Sequence, residues 1–153
     1  MVIMSNYEGT AVKRVLCLDI GSRRVGVAVS DPLGFTAQPL ETIMWVSPAH
    51  VQQQIAGLRA QFDPATVVVG LPLSPDGTRG ASVRRMRRLL ALIKPSLEGC
   101  ALVEWDERFS SVAAERALLE ADMSRKDRKK VIDCVAASLI LQSYLGAKES
   151  SLH

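Results

Sequence analysis

Cysteine, histidine and aromatic residues are scarce in this chain, and each shortage removes a class of function. The three cysteines, Cys17, Cys100 and Cys134, are odd in number and widely spaced, so they do not form the framework of a disulfide-stapled secreted domain. With only His50 and His153 beside them, they assemble no tetrahedral zinc site. Cys17 falls in an apolar strand pattern and Cys134 in an apolar helix pattern, where both read as small core residues. Two tryptophans, two tyrosines and three phenylalanines leave little for stacking on unpaired bases, so a nucleic acid would be read through its backbone and shape. No apolar run reaches the roughly 18–20 residues of a membrane span, and the first residues lack the basic-then-apolar pattern of a signal peptide. A cytoplasmic protein with no membrane partner is the expectation.

What is present is the composition of an ordinary globular domain. The chain has 153 residues, 48% apolar and 23% charged, enough for one core without disulfides. A single domain over residues 12–146 is expected, with flexible termini at 1–11 and 147–153. The net charge of +3 says little by itself. Its distribution says more: "RRMRR" (84–88) and "SRKDRKK" (124–130) hold nine of the nineteen basic residues, a concentration that suits a polyanion.

Patterning places the elements. "KRVLCLDI" and "RVGVAVSD" are β-branched runs around a short turn and read as a hairpin. "FTAQPLETIMW" is a third strand, with Pro39 near an edge or bulge. "SPAHVQQQIAGLRAQF" reads as a helix capped by Ser47 with Pro48 in the first turn. "ATVVVGLPL" is a continuous apolar run, as a strand covered on both faces requires. The Asp-Gly of "SPDGTRG" marks a loop. In the helix that follows, Val83, Met86, Leu89, Leu90 and Ile93 share one face, and Arg84, Arg85, Arg87 and Arg88 the other. "CALVEWDER" is a strand, "SVAAERALLEA" a helix and "KKVIDCVAASLILQSYL" a last, apolar helix. Three strands followed by alternating helix and strand give an α/β sandwich with a mixed sheet.

Acids stand where bland sequence would not put them. Asp19 lies inside an apolar strand, Asp106 and Glu107 close another, and Asp133 opens an apolar helix, on the face of Ala136, Ala137, Ile140 and Tyr144. A buried carboxylate alone tends to take up a proton, and several together repel unless a cation lies between them. Oxygen ligands without histidine or thiolate favour Mg²⁺ or Mn²⁺, ions that assist phosphodiester cleavage. Taken singly, Asp133 fits a helix N-cap equally well. Asp106 and Glu107 fit a solvated strand end paired with Arg108, and Asp19 fits a turn cap. If the strand persists, only one of Asp106 and Glu107 faces the site.

Four motifs in order, "LDIGSRRVGVAVSD", "VVVGLPLSPDGTRG", "DERFSS" and "VIDCVAASLILQSYL", closely resemble the YqgF (RuvX) family of RNase H-like proteins, from about Arg14 to Leu145. The resemblance implies a mixed five-stranded RNase H-like sheet flanked by helices on both faces. It implies a metal-dependent endonuclease that processes the 5′ end of pre-16S ribosomal RNA or resolves Holliday junctions. The catalytic acids it implies are Asp19, the Asp106–Glu107 pair and Asp133, with Asp19, Glu107 and Asp133 holding Mg²⁺ or Mn²⁺. Glu107 is preferred to Asp106 because related resolvases place a glutamate at that strand end. The chain departs from the family's usual Leu-Thr-Thr at Phe109, Ser110 and Ser111, and from its frequent Asn at Ser74-Pro75.

Gly21 either lets backbone approach a phosphate or metal closely, or serves as a positive-φ turn residue. Arg23, Arg24, Thr78 and Arg79 are candidate contacts to nucleic acid. Arg108 either reaches a phosphate or holds an acid in place. Arg84, Arg85 and Arg88, with Arg125, Lys126, Arg128 and Lys129, suit phosphate recognition, against the plainer reading of solvated faces. Structured RNA is the expected partner, with branched DNA the other, bound by a monomer or homodimer. Two other classes compete. Asp-x-Gly with a later Gly26 also suits a sugar-kinase-like phosphotransferase, but that needs two domains around ATP. A non-catalytic nucleic-acid-binding module in ribosome maturation or transcription is the alternative that the fold alone would allow.

Overall fold

A computed structural model describes residues 13–74, 76–112, 114–116, 118 and 125–151, with side chains described over the same ranges except 125–130 and 149–151. Strands β1 (Val15–Ile20), β2 (Arg24–Ser30) and β3 (Ala37–Met44) form an antiparallel meander. β4 (Thr66–Leu71) pairs parallel with β1, and β5 (Ala101–Asp106) parallel with β4. The order across the sheet is β3-β2-β1-β4-β5, so β1 is central. Pro39 lies where the β2–β3 register shifts, a place that tolerates its missing donor.

Alternation along β1 sorts the core into two layers. Leu16, Leu18 and Ile20 pack with Val51, Ile55 and Leu58 of α1 (Pro48–Phe62) and with Val83, Met86, Leu90 and Ile93 of α2 (Ala81–Ile93). Val15 and Cys17 point the other way, against Ala137, Ile140, Leu141 and Leu145 of α3 (Arg125–Ser151). Ser47 caps α1 by accepting a hydrogen bond from the His50 amide at 3.0 Å.

By the same alternation Asp19 belongs to the α3 side. Its partner on β2 is Gly26. On β4 the pairing Leu18↔Val69 carries the next position to Gly70. The buried acid is thus flanked on both neighbouring strands by a residue without a side chain. α3 settles into the first gap: a Cβ on Gly26 would lie 1.9 Å from the Asp133 carbonyl oxygen. Glu107 fills the second, where a Cβ on Gly70 would lie 2.6 Å from Glu107 Oε1 and 2.9 Å from Ile140 Cδ1.

Several expectations need correction. α3 begins at or before Arg125, about two turns ahead of Asp133, so Asp133 sits inside the helix and is no N-cap. The expected loose tail is helical through Ser151; Ala147, Lys148 and Glu149 favour helix. Val131–Lys148 is long and apolar enough to cross a membrane by length and composition, against the expectation that no segment was. Its apolar residues Ala136, Ala137, Ile140, Leu141 and Leu145 are buried on the sheet. Cys17 is buried, but Cys134 is only half-buried. Gly21 lacks a positive φ. Its role is local: its amide donates to the Arg24 carbonyl at 2.9 Å, and a Cβ there would stand 3.0 Å from that oxygen. The expected leader at 1–11 lies outside the described residues. Of the expected helix at 111–121, positions 112, 114–116 and 118 are described and helical.

Gly26→Ala should destabilise the protein by at least about 3 kcal/mol in urea unfolding, because the clash is with helix backbone. Gly57→Ala is the opposite case: nothing lies within 4 Å of the added carbon inside α1, and a gain of about 0.5–1 kcal/mol is expected.

Candidate active site

Among the described residues, Asp19 and Ser30 are the only buried polar or charged ones. Ser30 is satisfied by the Val15 amide at 2.8 Å. Asp19 is 9% exposed and has two neighbours of opposite kinds. Arg116 Nη2 donates to its Oδ2 at 2.6 Å, and the Glu107 side chain hydrogen-bonds to it. Burial, above all, pushes the Asp19 carboxyl above its ordinary range; the Arg116 charge opposes that, and the nearby Asp133 charge adds to it. Burial and then the Asp19 charge push Glu107 up to about 7. Two acids in hydrogen-bond contact must share a proton or a cation. Burial and the same two carboxylates hold the Cys17 thiol well above its usual range, so that sulfur stays protonated and inert.

Glu107 reaches Asp19 because β5 ends at Asp106. The chain then tightens into a 3₁₀ turn, Glu107–Phe109, which frees Glu107 from strand alternation and swings it over Gly70. Asp106 makes that turn possible by capping it: its Oδ1 accepts from the Arg108 amide at 2.9 Å. Its carboxylate also takes Arg108 Nε at 3.1 Å and Nη2 at 2.7 Å. The Arg108 side chain, followed by burial acting the other way and by the Arg108 amide, leaves Asp106 below its ordinary range. Arg108 also lies against the loop after β4, 3.3 Å from where a Cβ on Gly77 would stand. It ties the two strand ends together.

Asp133 is held by Arg24, whose Nε donates to Oδ2 at 2.5 Å; both side chains are about four-fifths buried (21% and 18% exposed). Asp133 is therefore close enough to raise Asp19 but is aimed at a guanidinium. Among the described residues no three acidic, histidine or cysteine groups stand together in a metal-holding arrangement. The donor set still suits a hard divalent ion. Mg²⁺ commonly takes one or two protein carboxylates together with phosphate oxygens, and a cation held by Asp19 and Glu107 would relieve the repulsion that raises Glu107.

The sequence candidates thus separate. Asp19 and Glu107 meet, Asp133 is adjacent, and Asp106 turns to Arg108. Arg24, expected on a nucleic-acid backbone, is engaged by Asp133. Arg23, Thr78 and Arg79 are exposed in the loops after β1 and β4, at the sheet end where Asp19 and Glu107 lie. Arg84, Arg85 and Arg88 are exposed on α2, which packs on the sheet face opposite Asp19, so the fold does not bring them to the acids. The neighbouring Arg87 pairs with Glu104 at 2.6 Å. The side chains of Arg125, Lys126, Arg128 and Lys129 lie outside those described. Sequence reasoning missed Arg116; its signal was a lone arginine in "VAAERALL" while a buried acid lacked a counter-charge. It also missed Gly26 and Gly70 as a pair, whose signal was glycine inside two apolar strands.

Comparison with known proteins matches residues 13–147 to the family model "RuvX: Holliday junction resolvase". A curated relative from Clostridium botulinum, bearing the name of a pre-16S rRNA nuclease, is 47% identical over 132 residues, 86% of this chain and 96% of its own. One of the same name from Halothermothrix orenii is 46% identical over 140 residues, 92% and 99% of the two chains. Among solved structures, Thermus thermophilus RuvC in complex with a Holliday junction substrate aligns with a TM-score of 0.60 at 14% identity, covering 92% of this chain and 98% of that one. Fowlpox virus resolvase with junction DNA aligns at 0.54 and 15% identity, covering 92% and 99%. These two likenesses show the fold, the RNase H-like one. The family model and the curated relatives together show that this chain belongs to the RuvX family of Holliday junction resolvases.

Proposed function

We propose that this nuclease hydrolyses phosphodiester bonds at the Asp19–Glu107 pair with Mg²⁺ or Mn²⁺, and that structured RNA, the 5′ end of pre-16S ribosomal RNA, is its substrate. The observation that carries this reading is a buried acid in contact with a second acid at the open end of a sheet, an arrangement that a purely structural core would avoid. The names of the curated relatives support the RNA substrate. The solved neighbours' junction complexes keep four-way DNA as the other candidate. Trimming RNA needs only a monomer, whereas a two-fold symmetric junction calls for a homodimer. The proposed setting is the cytoplasm, with no membrane partner.

Asp19 and Glu107 would hold the ion, with Asp133 completing its surroundings. When bound, the ion activates water and steadies the leaving oxygen. The chain's own contributions are distinct from that. Without the ion Glu107 keeps a proton up to about pH 7, and taking up the ion would release it. Arg116 and Arg24 hold Asp19 and Asp133 in register. Arg23, Thr78 and Arg79 would grip the phosphates on either side, and Arg108 would keep the loop after β4 against the end of β5.

Asp19→Asn, Glu107→Gln and Asp133→Asn should each reduce Mg²⁺- or Mn²⁺-dependent cleavage of precursor ribosomal RNA by at least about a hundredfold. Gel-shift affinity should be unchanged or higher. Undiminished cleavage by Asp19→Asn would overturn the assignment, and binding without cleavage by the unmodified protein would favour a non-catalytic binding module. A pH test reads the pair without activity. Glu107 is raised from 4.5 to about 7 in the folded protein and is ordinary in the unfolded one. Between those values the folded state therefore holds the extra proton, and stability falls as pH rises. In chelator, the melting temperature should fall from pH 5 to pH 8 (about the window of that shift). Glu107→Gln should flatten the slope, and Mn²⁺ should restore stability at the alkaline end.

A further inference from the structure

Phe109 is 68% exposed and stands in the same 3₁₀ turn as Glu107, two residues on. Two residues span at most about 7 Å, so the Cα atoms of Glu107 and Phe109 lie within that distance. A single exposed apolar side chain needs no explanation by itself. Phe109 differs in how firmly it is held.

Its ring leans on Trp105, with centroids 5.9 Å apart at 59°. Trp105 in turn meets Tyr144 edge-on at 5.5 Å and 87°. The backbone is tied as well: the Trp105 indole N–H donates to Ser143 Oγ at 3.0 Å, and the Ser143 hydroxyl donates to the Phe109 carbonyl at 3.1 Å. Trp105 therefore supports Phe109 through its ring and, by way of Ser143, through its main chain. A rigid aromatic with solvent on its free side loses little freedom when a flat partner arrives. The family resemblance places leucine at this position. Leucine would cover Trp105 equally well, but it has no π face.

Resting on the nuclease reading, we infer that Phe109 is a stacking platform for the unpaired base beside the scissile phosphate. The preferred substrate is then RNA whose nucleotide at the cut is single-stranded or splayed out, rather than an intact duplex. The scarcity of aromatics, which pointed to recognition by shape alone, limits this contact to one base. It does not remove it.

The test uses the full chain in chelator with a short single-stranded RNA carrying 2-aminopurine at successive positions. Quenching is expected at one position. Phe109→Leu and Phe109→Ala should abolish it and weaken binding roughly tenfold, with melting temperatures close to the unmodified protein, while Phe109→Tyr keeps both signals. The same sequence as a duplex should bind alike in all four proteins. Equal quenching and affinity in the Phe109→Leu variant would overturn the platform and leave the nuclease reading standing, as would binding with no quenched position. Failure of the unmodified protein to bind any RNA would remove both.

Discussion

The structure turns on one carboxylate that water cannot reach easily. Asp19 lies on the central strand, where an apolar residue would serve stability better, and taking its charge out of water is costly. Much around it acts to make that tolerable. Gly26 and Gly70 clear the strands on either side. Arg116 brings a counter-charge from a distant segment, and Glu107 shares a hydrogen bond. The helix carrying Asp133 packs so closely that its backbone occupies the space above Gly26.

This arrangement concentrates unfavourable electrostatics in one small region while the rest of the sheet is conventionally packed. Below Asp19, Cys17 and Val68 meet Ala137, Ile140 and Leu141 in an apolar layer, and the opposite face is filled by α1 and α2. Two acids beside each other on such a scaffold are retained where they do chemistry more readily than where they hold a fold together. The two guanidiniums partly neutralise the acids and keep them at fixed positions. A divalent ion and a phosphate would find those positions already set.

Legibility in the sequence followed the range of the interactions involved. Elements set by local patterning were readable: the apolar run of β4, the Ser47 cap, the bulge near Pro39 and the two-faced α2 all lie where periodicity and turn chemistry put them. The family motifs supplied the order of the acids. What escaped was long-range or sterically subtle. Arg116 is 97 residues from Asp19, and nothing local tells which acid an arginine will meet. The roles of Gly26 and Gly70 depend on register, which pattern alone does not give. The choice between Asp106 and Glu107 rested on where β5 stops, and a one-residue difference there reverses the face. The N-cap alternative for Asp133 fails because the helix is already formed at Arg125: arginine and lysine extend helices readily.

The central claim is that the contact between Asp19 and Glu107 is the seat of a divalent cation. Anomalous diffraction from crystals soaked in Mn²⁺ measures this most directly. The account expects one peak bonded to an oxygen of each carboxylate, at about 2.0–2.2 Å, with the proton between them displaced. A map with no peak there, while the two side chains keep their mutual hydrogen bond at saturating Mn²⁺, would contradict it.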